Sequence, residues 1–199
     1  MDSLPGSPAA VPALPVPAFV GRGGEKLAWA LGYFGVNPAG RICADLGSNI
    51  GGFVDALLAA GAVRVYSVDT SRGALAWKLR NDSRVVVLER VNALHVRLSE
   101  RVDLVSIDVG WTRQHKILPR ALSLLAPGGE ILSLVKPQYE ARPDEIVRGA
   151  GRVKPEALER IEAEMLALAE SLGGLVGWAR SPFVGGKGGN PEFFLRLRP

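Results

Sequence analysis

The sequence predicts a doubly wound α/β fold: seven strands in a mostly parallel sheet, helices on both faces, and an antiparallel last strand. Three observations predict it. From residue 20 onward, short apolar runs alternate with stretches of helical spacing. Several of the runs are apolar throughout, as in strands buried on both faces of a parallel sheet. Four of them end in a charge: Asp45, Asp69, Asp108 and Lys136.

The elements follow in order. "EKLAWALGYFG" (25–35) has Leu27, Ala30, Leu31 and Phe34 at helical spacing. "RICADLG" (41–47) is a short strand, and "GGFVDALLAAG" (51–61) a helix closed by Gly61. "VRVYSVD" (63–69) is the second strand, followed by a short helix over 73–82. "RVVVLER" (84–90) and "VDLVSID" (102–108) are the third and fourth strands. Residues 113–129 read as a helix stopped by a Pro-Gly-Gly turn, and "EILSLVK" (130–136) as the fifth strand. A long polar loop covers 137–153. Residues 155–174 put Leu158, Ile161, Met165, Leu168 and Leu172 on one helix face, with Pro155 in the first turn. "LVGWARS" (175–181) and "EFFLRLR" (192–198) are the last strands, joined by a ten-residue loop and expected to pair antiparallel.

Composition sets the bounds. The chain has 199 residues, enough for one domain with a sizeable core. Its net charge of +4 permits an anionic partner without requiring one. The one cysteine, Cys43, cannot form an internal disulfide, which fits a reducing cytoplasm. Apolar stretches such as 56–63 are too short to cross a membrane. Residues 1–18 hold five prolines and no basic residue, unlike a signal peptide, and read as a disordered or polyproline-like extension ahead of a domain at 19–199.

Ligands on such sheets bind outside the carboxyl ends of the strands. A single charge at a strand exit reads equally as a solvated end, but four on one edge point to a site. In "ADLGSNIGGF" (44–53), Gly47, Gly51 and Gly52 form a tight turn that opens a helix, with Ser48 and Asn49 between them and Phe53 after. A dinucleotide loop would be G-x-G-x-x-G, and here Asn49 stands at its second glycine. The acidic Asp45, two residues before Gly47, is more like an S-adenosylmethionine (SAM) site, with an NAD or nucleotide fold as the alternative. Asp69 then stands where an acid accepts from both ribose hydroxyls. Asn92, in "RVNA", stands where an adenine edge would lie.

Several strings together resemble a known family: "GRGGEKL", "DLGSNIGGF", "VYSVD", "LAWKLRND", "VVVLERVNA", "DLVSIDV", "LVKPQYE" and "KGGNPEFFL". Over residues 19–198 the chain resembles the FtsJ-like methyltransferase domain of the TlyA (haemolysin A) family. The resemblance implies the Rossmann-like fold of SAM-dependent methyltransferases and 2′-O-methylation of ribosomal RNA, free or in a ribosomal subunit. It also implies a tetrad of Lys26, Asp108, Lys136 and Glu192, and a cytoplasmic enzyme. Two departures stand out. The Pro-rich segment occupies the place of the family's small S4 RNA-binding domain, and "VGW" after Asp108 replaces a common Ser-Phe pair.

The tetrad makes chemical sense. A ribose hydroxyl is a weak nucleophile and loses its proton as it attacks. A lysine serves as base only when its pKa falls from ~10.4 toward neutrality. A second lysine and burial act in that direction, and a carboxylate opposes them while orienting the amine. Lys136 reads as the base, Lys26 as its coupled neighbour, and Asp108 and Glu192 as the orienting acids. Bland alternatives stand beside each reading. Lys26 could be solvated, and Glu192 could pair with Arg196 along one strand face. Trp29 and Tyr33 could stack a base or belong to the core. His95 and His115 are isolated, and no metal cluster is expected. Arg142, Arg148, Arg152 and Lys154 form a phosphate-contacting rim or a solvated loop, and the Gly-rich 180–192 stretch a lid or a plain turn. Rival functions are a non-catalytic SAM- or RNA-binding module, a methyltransferase with another substrate, and a membrane-lysing protein. The last lacks a spanning segment and has an acid-rich helix at 155–174.

Overall fold

The computed structural model describes residues 19–185 and 189–199. The expectations for residues 1–18 and for the centre of the Gly-rich loop, with Lys187, lie outside the described residues.

The first element of the described residues is α1 (Arg22–Phe34), after which strand and helix alternate. β1 (Ile42–Leu46), α2 (Gly52–Ala59), β2 (Arg64–Asp69), the single turn α3 (Trp77–Arg80) and β3 (Val85–Glu89) form the first half. β4 (Val102–Ile107), α4 (Gln114–Leu122) and β5 (Leu125–Val135) follow. The short α5 (Pro137–Glu140) and a 3-10 turn (Pro143–Glu145) lead to a small hairpin, β6 (Ile146–Val147) and β7 (Arg152–Val153). α6 (Pro155–Ser171), β8 (Leu175–Val184) and β9 (Pro191–Leu197) complete the fold.

Among the described residues, seven strands form one sheet in the order β3-β2-β1-β4-β5-β9-β8. The first five are parallel, and β9 runs antiparallel to both β5 and β8. Strand order reverses at β1, which pairs with β2 on one side and β4 on the other. That reversal is the switch point where such sheets hold ligands. One face packs α1, α2 and α3 over Cys43, Leu104, Leu132 and Phe194. The other packs α4 and α6 over Leu46, Val105, Ile131 and Phe193.

The expected class, strand count and antiparallel last strand are as found. Among the differences in extent, three have a clear physical reason. The helix expected over 113–129 ends at Leu122, and residues 125–129 join β5. Pro127 disfavours helical geometry in the residue before it, while the Leu124 carbonyl accepts the Val102 N–H at 3.0 Å. The helix expected over 73–82 contracts to Trp77–Arg80. There the Ala76 N–H donates instead to the Ile50 carbonyl at 3.0 Å, binding this segment to the loop after β1. The polar loop at 137–153 contains α5 and the β6–β7 hairpin, both too short to carry a periodic signal.

Candidate active site

The glycine-rich turn is shaped by backbone contacts. Register aligns Leu46 with Val68 on one side and Ile107 on the other. The Gly47 N–H donates to the Val68 carbonyl, and the Asp108 N–H to the Leu46 carbonyl, each at 2.9 Å. Gly47 has φ +92°, and a Cβ there would sit 2.7 Å from the Asp108 carbonyl oxygen. Both facts demand glycine. A Cβ on Gly52 would lie 2.8 Å from the Gly24 backbone nitrogen, so that α1 and α2 approach through two glycines.

Two small clefts flank this turn. One, of about 100 Å³, is lined by Asp45, Gly47, Ser48, Asn49, Gly52, Phe53 and Asp108 together with Gly23 and Ile50. Asp45 is fully buried; its Oδ1 accepts the Ser106 hydroxyl at 2.8 Å, while Oδ2 is buried with no partner. Burial pushes its carboxyl up to about 7, against the pull of Ser106. The second cleft, of about 120 Å³, shares Gly47 and adds Asp69 and Asn92. Asp69 accepts the backbone N–H of Asn49 (2.8 Å) and of Ser71 (2.7 Å). Burial raises its carboxyl, but donors from Ser71, Asn49 and Thr70 outweigh burial and hold it below the usual range. The Asn92 side chain caps its own turn at the Leu94 N–H, 2.9 Å away. The Ser48 hydroxyl donates to the Asp45 carbonyl at 3.0 Å. Gly51 is turned away from both clefts, and a Cβ on it would meet the side chains of Leu75 and Leu79. Phe53 is also a core residue, stacked 6.3 Å from Phe194.

A larger cavity, about 660 Å³, opens beside them. Lys26, Lys136 and Glu192 line it, with Trp111, Gln138 and Tyr139. Sheet register brings two of the charges together: Val135 pairs with Phe193, which sets Lys136 opposite Glu192. Glu192 shares its strand face with Phe194, the face that α1 covers. Lys26, on α1, forms a short buried ion pair with Glu192. Lys136 forms a second ion pair with Asp108 at 2.5 Å. Burial pulls the Lys136 ammonium down, but Asp108, supported by Glu192 and Tyr139, outweighs burial and holds it above the usual lysine value. The shift expected of a resting base therefore runs the other way, because the carboxylate is closer than any second cation.

Several bland alternatives resolve. Lys26 is buried, and Glu192 does not pair with Arg196, which holds Glu130 and the Phe34 carbonyl instead. Trp29, half-buried on α1, packs on Tyr33 and Phe194 at the margin of the core. His95 and His115 are exposed, and the described residues hold no group suited to a metal ion. Arg142 and Arg148 are exposed around the hairpin, whose Ile146, Ala150 and Gly151 line the large cavity. Glu140 is buried behind it and accepts the first N–H of α4, from Gln114, at 2.8 Å.

Sequence reasoning missed Trp111. It is 89% exposed at the cavity mouth, has φ +62°, and lies 5.1 Å from the Tyr139 ring. An exposed tryptophan in a left-handed conformation is strained backbone beside a site. The available signal was an aromatic residue three positions past a charged strand exit.

Known proteins resemble this chain along most of its length. The family model for FtsJ-like methyltransferases covers residues 19–198. The chain belongs to the FtsJ-like methyltransferase family. This FtsJ-like chain is 40% identical over 185 residues to the 16S/23S rRNA (cytidine-2′-O)-methyltransferase TlyA of Mycobacterium tuberculosis, spanning 91% of its own length and 69% of the relative's. It is 38% identical over 184 residues to the putative rRNA methyltransferase YqxC of Bacillus subtilis, spanning 90% and 65%. Among solved structures, a putative hemolysin from Lactococcus lactis superposes with a TM-score of 0.85 at 38% identity, covering 90% of this chain and 88% of that one. Among the described residues, no helix is long and apolar enough to cross a membrane.

Proposed function

We propose that this FtsJ-like chain transfers a methyl group from SAM to a ribose 2′-hydroxyl of RNA, with ribosomal RNA as the substrate class. One observation supports the reading: two lysine–carboxylate pairs stand together at the switch-point edge of the sheet, with Lys26, Lys136 and Glu192 lining the large cavity and Asp108 the cleft beside it. The names of its relatives, rRNA (cytidine-2′-O)-methyltransferases among them, supply the substrate class.

The clefts fit SAM on their own chemistry. The buried, unpartnered Asp45 Oδ2 calls for a donor, and Gly47 and Gly52 leave backbone open where a side chain would close the cleft. Asp45, Gly47, Ser48, Asn49, Gly52 and Phe53 would hold the methionine part, and Asp69 and Asn92 the adenosine. Gly51 supports them from behind. SAM would supply there a methyl carbon on a sulfonium, the C–S bond to it being exchanged for a C–O bond to the acceptor.

The chain's residues do the rest. Trp111 and Tyr139 offer aromatic faces at the cavity mouth on which a base can stack. Lys26, held by Glu192, orients the acceptor ribose or its phosphate. Asp108 aims the Lys136 amine, and Lys136 takes the hydroxyl proton as the oxygen attacks. Lys136 gives up its resting proton more readily beside a cationic ligand, which offsets the pull of Asp108. Holding both partners in line is worth up to ~7–11 kcal/mol in favourable systems. With a net charge of +4, affinity for RNA is modest and selection rests on RNA shape around the exposed Arg142 and Arg148.

The test is tritiated-SAM labelling of unmodified ribosomal subunits and of free rRNA, with nuclease mapping of the product. A label resistant to alkali, on a ribose, is expected. Labelling of DNA or protein alone would overturn the reading, and SAM binding without transfer to any RNA would favour a binding module.

A further inference from the structure

The acceptor cavity has one wall that neither ion pair holds. Ile146, Ala150 and Gly151 of the β6–β7 hairpin form it. The hairpin ladder pairs only Ile146 with Val153 and Val147 with Arg152. So short a ladder is marginal by itself, and its position must come from contacts outside it. Its outer base is anchored by the Lys154 N–H on the Glu145 carbonyl (2.9 Å), with Glu145 ion-paired to Arg160. On the cavity side the anchor is Asn190.

Asn190 is 3% exposed and lines the same cavity. Its Oδ1 accepts the Val153 N–H at 2.8 Å, and its Nδ2 donates to the Gly151 carbonyl at 3.0 Å. Its own carbonyl accepts the Gly185 N–H at 2.9 Å, which joins the end of β8 to the start of β9. Glu192, the partner of Lys26, stands two residues further on. We infer that Asn190 is a positioning residue: its carboxamide ties the β7 arm of the hairpin to the segment that carries Glu192. The wall facing the RNA and the Lys26–Glu192 pair are then one rigid unit. A carboxamide suits this place because the two backbone groups require one acceptor and one donor from the same side chain. Aspartate would set an oxygen against the Gly151 carbonyl, and alanine leaves both groups unpaired.

The inference rests on the RNA-methylation reading above, and its test separates the two. In the full chain, Asn190→Ala and Asn190→Asp are compared with the parent by amide hydrogen exchange, SAM titration and steady-state kinetics on unmodified rRNA. Faster exchange is expected at residues 146–153, with β1, β2 and β4 unchanged. The KM for RNA should rise about tenfold, the scale of losing one or two buried hydrogen bonds, with SAM affinity intact. In a chain whose hairpin tip (148–150) is replaced by a shorter turn, Asn190→Ala should add no further change in KM. Unchanged exchange at Val153, exchange rising evenly through the sheet, or an unaltered KM would each overturn the role. If the parent chain methylates no RNA, the functional reading fails, while exchange at Val153 still decides whether Asn190 holds the hairpin.

Discussion

The two halves of the ligand-binding edge are built differently. The clefts beside β1 are framed by backbone, a glycine turn, two strand-exit carbonyls and N–H groups fixed by parallel register, with the carboxylates of Asp45 and Asp69 set into that frame. The large cavity beside β5 and β9 consists of side chains brought from far apart, Lys26 and Glu192 being 166 residues from each other. The glycine turn itself is held by backbone hydrogen bonds, so a single side-chain change outside the glycines should leave its frame standing. A site made of buried charges depends on every partner, because each unpaired ion loses the compensation for its burial.

This contrast can be broken most directly at Lys136. Lys136→Ala should lower the methylation rate by ~10²–10⁴-fold, the usual range for loss of a general base, while SAM titration stays unchanged. Lys136→Arg should fail as well, since a guanidinium remains protonated. The same role fixes a pH dependence. The folded-state value lies above the ordinary lysine value, so at neutral pH the free amine is the minor form. Under single-turnover conditions the rate should climb with pH, about tenfold per unit below that value. A rate that is flat from pH 6 to 9, or an active Lys136→Arg chain, would move the base elsewhere.

Glu192→Ala should come next in size. It leaves Lys26 buried without its carboxylate, and breaking such a pair costs about 3–5 kcal/mol. Urea denaturation would measure it. The double change Lys26→Met with Glu192→Leu should restore much of that stability without restoring activity. If the single change costs no stability, the pair is better solvated than its 11% and 2% side-chain exposures indicate.

Trp111→Ala should weaken RNA binding by about 1–3 kcal/mol, the range for one base–aromatic stack, and leave SAM binding and stability alone. Filter binding at fixed salt would read it. Unchanged RNA affinity would leave the strained conformation of Trp111 without a function.

The smallest effect is expected on the backbone side. Asp69→Ala should weaken SAM by roughly tenfold, the loss of one or two net hydrogen bonds, measured by calorimetry. Part of that loss would come through the loop, since Asp69 also accepts the Asn49 and Ser71 N–H groups. An effect on SAM as large as the effect of Lys136→Ala on rate would erase the distinction between the two halves.

The sequence alone determined the alternation of strands and helices, and with it the class of sheet and the shared edge of Asp45, Asp69, Asp108 and Lys136. These are local matters: apolar runs and glycine turns leave their mark within ten residues. The family resemblance added Lys26 and Glu192 through their flanking strings. Tertiary structure alone decided how the charges pair. Glu192 faces Lys26 because the β5–β9 register and the alternation of side chains turn it toward α1, and Arg196 is drawn to Glu130. It also decided that Gly51 supports the turn from behind, that Trp111 stands exposed at the cavity mouth, and that Asn190 reaches the hairpin. None of these is legible in a string of residues, because each depends on which element lies across a gap. Only the assembled sheet, with its order β3-β2-β1-β4-β5-β9-β8, sets those neighbours.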